Sequence, residues 1–332
     1  MPIATRDVVG ILADNLRLRG SVLPIPARQA TRWAHELDLP RGGETVLYTG
    51  MMYQLIPYIE RLVALEQLLG DTPLARLSGV GRRMNQVVNG VALVARPSAR
   101  ERAEYNLVPA NVARLLRAAG VEFGYLYEDD LYSGALAYDL GADEEVTAHA
   151  RRVTATLRRY GVREVITLDP HTTTMLRTVY PTLVPGYDLR VRSYLEVLAD
   201  RGLPVRDQNG GRVVIHDSCV YARYEHVIDA PRELLAEARV TVEEPANART
   251  LTFCCGGPVE ALYPAKAATV AGDRVRQLSA VAPECVTMCP ICLVNLRKAA
   301  NGTLHIRDIS EYLVDAAGVS QAPSAHPAGA PT

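Results

Sequence analysis

Cys219, Cys254-Cys255-Gly256-Gly257, Cys285 and Cys289-Pro290-Ile291-Cys292 hold all six cysteines of the chain within 74 of its 332 residues. Thirty-four residues separate Cys219 from the adjacent pair, and thirty-three separate the pair from Cys289. A buried free cysteine is common by itself. Six confined to one segment are a different matter. A CxxC hook and a distant CysCys pair meet only if the chain folds back on itself, so this stretch speaks to fold as well as to chemistry.

The rest of the composition limits what that chemistry serves. With 48% hydrophobic and 22% charged residues the chain can bury a substantial core. Thirty-six basic against thirty-seven acidic residues give a formal charge of -1 and no footprint for nucleic acid. No uninterrupted apolar run reaches the roughly 18 residues that span a bilayer. The opening MPIATRDVVGILADNLRLRG carries acids and lacks the apolar core of a secretory signal. Cytoplasmic residence is the expectation, and there dense thiols serve metal or redox chemistry more than disulfides. A disulfide framework would also leave the 218 residues before Cys219 unstapled.

Working outward, short β-branched runs alternate with helical patterns, which predicts parallel α/β sheets. Strands are expected at 45–48, 121–127, 165–168, 212–216, 240–242 and 285–288. Helices are expected at 54–69, 109–119, 143–160, 172–179, 194–200, 231–238, 261–278, 291–300 and 308–317. In such sheets sites form at the carboxyl ends of strands, and Cys219 and Cys289 both fall there. Residues 1–43 read as a helical N-terminal arm, with Trp33 as its packing anchor against a sheet. The last dozen residues hold four Ala and three Pro, so 319–332 read as a disordered tail.

An internal repeat divides what remains. Ile166-Thr-Leu-Asp-Pro-His-Thr-Thr-Thr-Met-Leu-Arg177 recurs 120 positions later as Val286-Thr-Met-Cys-Pro-Ile-Cys-Leu-Val-Asn-Leu-Arg297. Asp169 stands for Cys289 and Thr172 for Cys292. Leu131-Tyr132-Ser133-Gly134 matches Phe253-Cys254-Cys255-Gly256, and Tyr48-Thr49-Gly50-Met51 matches His216-Asp217-Ser218-Cys219. The chain is thus two units, 44–190 without cysteines and 191–318 with them. Eighty residues separate Met51 from Tyr132 against 34 in the second unit, so an insertion is expected within 72–103. Met51, Tyr132, Ser133, Asp169 and Thr172 should converge at a site that binds no metal.

Thiolates suit Zn²⁺, Cu(I) and iron–sulfur clusters. Adjacent cysteines diverge unless the backbone turns tightly, and Gly256-Gly257 permits that turn. Two neighbouring thiols reaching different irons is a good use of the geometry, whereas one tetrahedral Zn²⁺ gains little from it. Structural zinc stays as the alternative. The spacing Cys285-x3-Cys289-x2-Cys292 also matches radical enzymes that cleave S-adenosylmethionine, but those present the loop early, and here only 40 residues follow Cys292. Cys285 reads as a packing residue at the start of a buried strand.

The order Cys219…Cys254-Cys255-Gly256-Gly257…Cys289-Pro290-Ile291-Cys292 resembles the cysteine-rich CCG domain. That domain occurs in the B and D components of heterodisulfide reductases and in iron–sulfur subunits of glycolate and lactate oxidases. Asp169-Pro-His-Thr172, with Leu176 and Tyr180-Pro181, is similar to the family's CPHC segment with both cysteines lost. Residues 28–50 resemble the linker that joins a ferredoxin module to the first such domain in fused members. The resemblance implies tandem duplicated CCG domains, the first degenerate, with short parallel sheets flanked by helices. It implies one noncubane [4Fe-4S] cluster held by Cys219, Cys254, Cys255, Cys289 and Cys292, used for electron transfer and for cleaving a disulfide in one-electron steps. One intact motif puts a mechanism needing two clusters in doubt. No CxxCxxCxxxCP run is present, so electrons would come from iron–sulfur or flavoprotein subunits of a redox complex, through which the chain could lie peripheral to a membrane. The competing reading is an electron-relay or zinc-bearing assembly subunit with no catalysis of its own. His216, Asp217, Tyr221 and Tyr224 are candidates for contacts around the ligands and for proton supply, and His171 reads as a hydrogen-bonding remnant or as a residue lining a cleft between the halves.

Overall fold

The computed structural model describes residues 5–23, 25–69, 96–206, 210–257, 260 and 263–319. Most of the expected insertion and nearly all of the tail lie outside these residues. Two parallel four-stranded sheets form the body. The first runs β2-β1-β3-β4, from β1 (Thr45–Tyr48), β2 (Gly124–Tyr125), β3 (Glu164–Thr167) and β4 (Arg190–Ser193). The second runs β6-β5-β7-β8, from β5 (Arg212–Ile215), β6 (Thr241–Glu243), β7 (Glu284–Thr287) and β8 (His305–Asp308). The same strand order twice is the duplication expressed as topology.

Parallel strands covered on both faces need apolar residues on both. Val46 and Tyr48 enter one core and Leu47 the other. The core holding Leu47 and Ile166 continues into Val213, Ile215 and Val286 of the second sheet, so the two halves share one interior. The arm adds to it: Trp33 is 6% exposed and stacks on Tyr125 with ring centroids 4.7 Å apart.

Strands β4 and β8 fall outside the set expected from sequence. Their sequences, Arg190-Val-Arg-Ser193 and His305-Ile-Arg-Asp308, each carry one apolar residue. Two arginines equivalent by the repeat hold them: Arg177 Nε donates to Val191 O at 3.1 Å and Arg297 Nε to Ile306 O at 2.8 Å. Each strand ends in an N-cap residue, Ser193 or Asp308, whose capping box with Glu196 or Glu311 starts the next helix. Conversely, the strand expected at 121–127 is reduced to Gly124–Tyr125.

The helix expected from Pro109 begins earlier, at Ala99, where Ser98 and Glu101 form a capping box. Pro109 sits inside that helix. Proline is favoured at a helix start, so its position in the sequence suggests a boundary that the stronger capping box overrides. Pro181 likewise does not close its segment. A π-helical turn, Met175–Val179, continues into Tyr180–Leu183.

One pair of contacts records the duplication at atomic detail. Thr252 Oγ1 donates to the Asp217 carbonyl at 2.9 Å. At the equivalent positions of the first half, Thr49 Oγ1 donates to Asp130 Oδ2 at 2.5 Å. Acid and hydroxyl have changed places. Burial pushes the Asp130 carboxyl up to about 7, against the opposing hydrogen bonds from Thr49 and Tyr125. An acid held neutral in this way contributes stability that is fully present below its ordinary value of 3.8 and is lost as pH rises through about 7. Asp130→Asn should therefore gain melting temperature relative to the parent at pH 8 but not at pH 4. An identical difference at both pH values would contradict this origin.

Candidate metal centre

The second sheet delivers the sulfurs from three directions. His216 continues β5, its N–H donating to Val286 O at 2.9 Å, and Cys219 follows it. Strand β7 ends at Thr287, and Cys289 is the N-cap of the helix Pro290–Ala300, which places Cys292 in its first turn. The adjacent pair arrives on the loop after Leu251.

That loop is tied down by Asp217, which is 2% exposed. Its carboxylate takes both ends of the Arg232 guanidinium, at 2.9 and 3.0 Å, and the Arg249 N–H at 2.7 Å. Arg232 also binds Glu244 at 2.6 and 2.9 Å. Asp217 thus shapes the approach to Cys254, a role different from proton supply.

The pair's turn depends on both glycines. Gly256 has φ +83, and a Cβ there would stand 2.5 Å from Ala267 O. A Cβ on Gly257 would meet Ile291 Cγ2 at 2.1 Å and Cys255 Sγ at 3.4 Å. Gly257→Ala is accordingly expected to lower bound metal several-fold by displacing Ile291 or the turn. Gly211→Ala, with nothing within 4 Å of its Cβ, is the control that should leave metal content unchanged. Equal metal content in the two variants would show that the tight turn is dispensable.

Five thiols form one coupled group. Electrostatically, Cys219 is coupled to Cys254, Cys254 to Cys255, Cys255 to Cys292, and Cys292 to Cys289, and the Cys255 and Cys292 sulfurs lie within 4.8 Å of each other. Hydrogen bonds from Cys219 and Cys255 push Cys254 down to about 2, and the Gly256 N–H adds to this from 3.3 Å. Burial alone would raise Cys289, but hydrogen bonds from Cys292 and His171 carry it well below its ordinary value. The other three are pushed up, Cys219 and Cys292 first by hydrogen bonds to thiol neighbours and Cys255 first by its bond to Cys254. The five soft donors thus share their protons within one coupled group. Cys219 and Cys254 are half-buried, while Cys255, Cys289 and Cys292 are buried.

Cys285 stands apart. It lies within β7 opposite Val214, is fully buried, and its thiol faces Val286 O at 3.7 Å. Burial pushes it up to about 12.

His216 Nδ1 accepts from Arg274 Nε at 3.0 Å, and a ring nitrogen of His216 with the sulfurs of Cys255 and Cys292 forms a set within 4.8 Å of one another. Burial, reinforced by the Arg274 charge, pushes His216 down to about 3. Tyr221 OH turns to Ser193 at the end of β4 and to Thr173 at 2.8 and 3.3 Å, and Tyr224 is 67% exposed. Neither tyrosine hydroxyl is directed at the sulfurs by these bonds.

In the first half, Ser133 N donates to Gly50 O at 3.3 Å and Thr172 N to Asp169 Oδ1 at 3.0 Å. A Cβ on Gly50 would fall 2.1 Å from Thr172 Oγ1, so these groups crowd together. Tyr132 is fully buried, its hydroxyl accepting from Leu136 N at 2.7 Å, while Met51 is half-buried with φ 60. The donors there are oxygens and the Met51 thioether, with no thiol among them. For His171, burial pushes down, but interaction with the Cys289 sulfur, Asp169 and Asp139 outweighs it and raises the imidazole to about 9.

Two residues carry more of the site than the sequence motifs suggest. Arg274 belongs to none of them, yet it lies on the buried face of its helix with Ala267, Ala271 and Leu278. A charge at an apolar position of a helical period is the signal that marks it. His171 reads in the sequence as a remnant or as a residue lining a cleft between the halves, and its coupling to Cys289 fits the second of these.

Fold and donor set together define a tandem α/β protein with a thiol-rich candidate metal site at the carboxyl ends of its second sheet. Comparison with known proteins agrees. Residues 213–297 match the cysteine-rich domain CCG. An EtfAB:quinone oxidoreductase of Syntrophomonas wolfei is 31% identical over 228 residues, covering 63% of this chain and 32% of that protein. FadF of Bacillus subtilis, described as a probable iron-sulfur-binding oxidoreductase, is 29% identical over 219 residues, 62% of this chain and 31% of that protein. One subunit of the dihydromethanophenazine:CoB--CoM heterodisulfide reductase of Methanosarcina mazei is 26% identical over 222 residues, 62% and 54% respectively. The chain spans about a third of the length of the first two of these relatives. Among the described residues, no helix is long and apolar enough to cross a membrane.

Proposed function

We propose that this chain is the iron–sulfur portion of a heterodisulfide-reductase-like oxidoreductase complex. In this reading Cys219, Cys254, Cys255, Cys289 and Cys292 hold one noncubane [4Fe-4S] cluster. The observation that carries it is that the second sheet's strand ends and the glycine turn gather five electrostatically coupled thiols, while Cys285 stays within its strand. Five sulfurs exceed the four positions of tetrahedral zinc and suit a core with unequally placed irons. The domain boundaries at 43/44, 190/191 and 318/319 belong to the same proposal.

When bound, such a cluster supplies single-electron transfer and, given an open position, reduction of a disulfide. The chain's own residues do the rest. Buried Cys255, Cys289 and Cys292 keep water from one side of the site, and half-buried Cys219 and Cys254 mark the edge where electrons cross. His171 holds a proton against Cys289 from the opposite half. Relatives named as an EtfAB:quinone oxidoreductase and as part of a heterodisulfide reductase support a redox partner bearing flavin or iron–sulfur groups.

Zinc is the second reading, favoured by the His216, Cys255 and Cys292 set. Anaerobic reconstitution with iron and sulfide separates the two. Broad sulfide-to-iron charge-transfer absorption is expected in the visible, bleached on reduction. A colourless protein that retains zinc through the same treatment would sink the iron–sulfur reading. Natively purified material should also co-elute with a larger redox assembly, and turnover by the isolated chain with a small donor alone would refute the need for a partner.

A further inference from the structure

We propose that His216 is a hydrogen-bond donor to the cluster's sulfur rather than a metal ligand, and that buried Arg274 is the positioning residue that fixes this role. The inference deepens the iron–sulfur reading and rests on it. Both side chains are sealed, His216 at 1% exposure and Arg274 at 0%. Arg274 is locked by its Nη1, which donates to Asn247 O and Gln277 Oε1, each at 2.9 Å.

The tautomer follows from donor counting. Arginine nitrogens only donate. The Nε–H of Arg274 therefore donates to His216 Nδ1 at 3.0 Å, and Nδ1 carries no proton. A neutral imidazole keeps its single N–H on the other nitrogen. Nε2 is thus a donor whose lone pair is gone, so it cannot coordinate a metal. It is buried with no hydrogen-bond partner in the protein. One ring nitrogen lies within 4.8 Å of the Cys255 and Cys292 sulfurs, and with Nδ1 occupied by Arg274, Nε2 is the nitrogen with hydrogen-bonding capacity left for them. A sealed N–H with no protein acceptor, on a ring set among the Cys255 and Cys292 sulfurs, is arranged for an anionic sulfur, from a cysteine once it is deprotonated on metal or from the cluster itself.

The first half of the chain supplies an internal control. Tyr48 occupies the position of His216, and its hydroxyl donates to Leu131 O at 2.6 Å. Thr154 precedes Glu164 by ten residues, as Arg274 precedes Glu284, and its hydroxyl donates to Ala150 O at 2.8 Å. Among the described residues, the His–Arg pair accompanies the cysteines and is missing where they are missing. A structural need common to both halves would have kept it in both.

A hydrogen bond to sulfur withdraws charge from the cluster and favours the reduced state. His216→Leu should keep the parent's iron content and shift the midpoint potential to more negative values. His216→Gln, which restores an N–H donor, should recover part of that shift. Arg274→Met frees the imidazole to hold its proton on Nδ1 and should shift the potential in the same direction as His216→Leu. Loss of iron from His216→Leu with retention in Cys285→Ser would overturn the proposal, because it would make His216 a ligand.

If the variants fail to fold, the parent protein answers by itself. Electron–nuclear double resonance on its paramagnetic state should find a proton that exchanges in D₂O and only weak nitrogen coupling. Strong coupling from a directly bound nitrogen would overturn the donor role. Failure of the underlying reading looks different, since the protein would then hold zinc without sulfide. X-ray absorption at the zinc edge would still decide the histidine's role: sulfur scatterers alone agree with a donor His216, and a nitrogen scatterer contradicts it.

Discussion

Replacing Cys255 with serine is expected to remove most of the iron that the parent chain retains after anaerobic reconstitution. Cys255 is the middle of the sulfur group, coupled to Cys254 on one side and Cys292 on the other. A hydroxyl is a hard, weakly acidic donor and a poor substitute for thiolate on iron. The residue is also 3% exposed, so no water channel compensates for the lost ligand. Cys285→Ser is the matched comparison. That thiol is buried to the same degree but faces a backbone carbonyl, and its loss should leave about four iron atoms per chain. Iron lost from the Cys285 variant and kept in the Cys255 variant would show that the wrong five ligands have been chosen.

The second large effect concerns the loop that carries the pair. Arg232→Met is expected to destabilise the protein by about 3–5 kcal/mol, the range found when one partner of a buried ion pair is removed. Asp217 and Arg232 side chains are 3% and 11% exposed, and their two-pronged contact leaves Asp217 with no other side-chain cation among the bonds described. Asp217 also accepts from Arg249 N, so the damage should reach the segment that delivers Cys254. Asp217→Asn combined with Arg232→Met removes the stranded charge and should recover much of the loss. Urea denaturation of the protein without metal reads both, and a change below about 1 kcal/mol for Arg232→Met would place the pair among weak surface contacts.

Parallel α/β architecture and duplication are legible in the sequence because both rest on patterns that survive divergence. Val-Ile-Thr and Val-Val-Ile runs persist in the strands, and Pro170, Leu176 and Arg177 recur as Pro290, Leu296 and Arg297. Strands β4 and β8 escape such a reading because each carries a single apolar residue, while what holds them is the backbone ladder to β3 or β7, braced by Arg177 or Arg297 from outside the strand. The cysteine cluster needs no such help, since six cysteines within 74 residues stand out by themselves, while the choice of five comes from the resemblance to the CCG domain. What spacing cannot reveal is which polar residues meet it. Arg274 approaches His216 from 58 positions away, and His171 crosses from the other half to Cys289. Both are contacts made by tertiary packing and leave only a faint local trace.

The most direct measurement is metal and sulfide stoichiometry on the chain reconstituted anaerobically. About four iron and four labile sulfide per chain are expected, because the proposed ligand thiols lie in one half of the protein and the other half has no cysteine. About one zinc per chain with no labile sulfide would contradict the account.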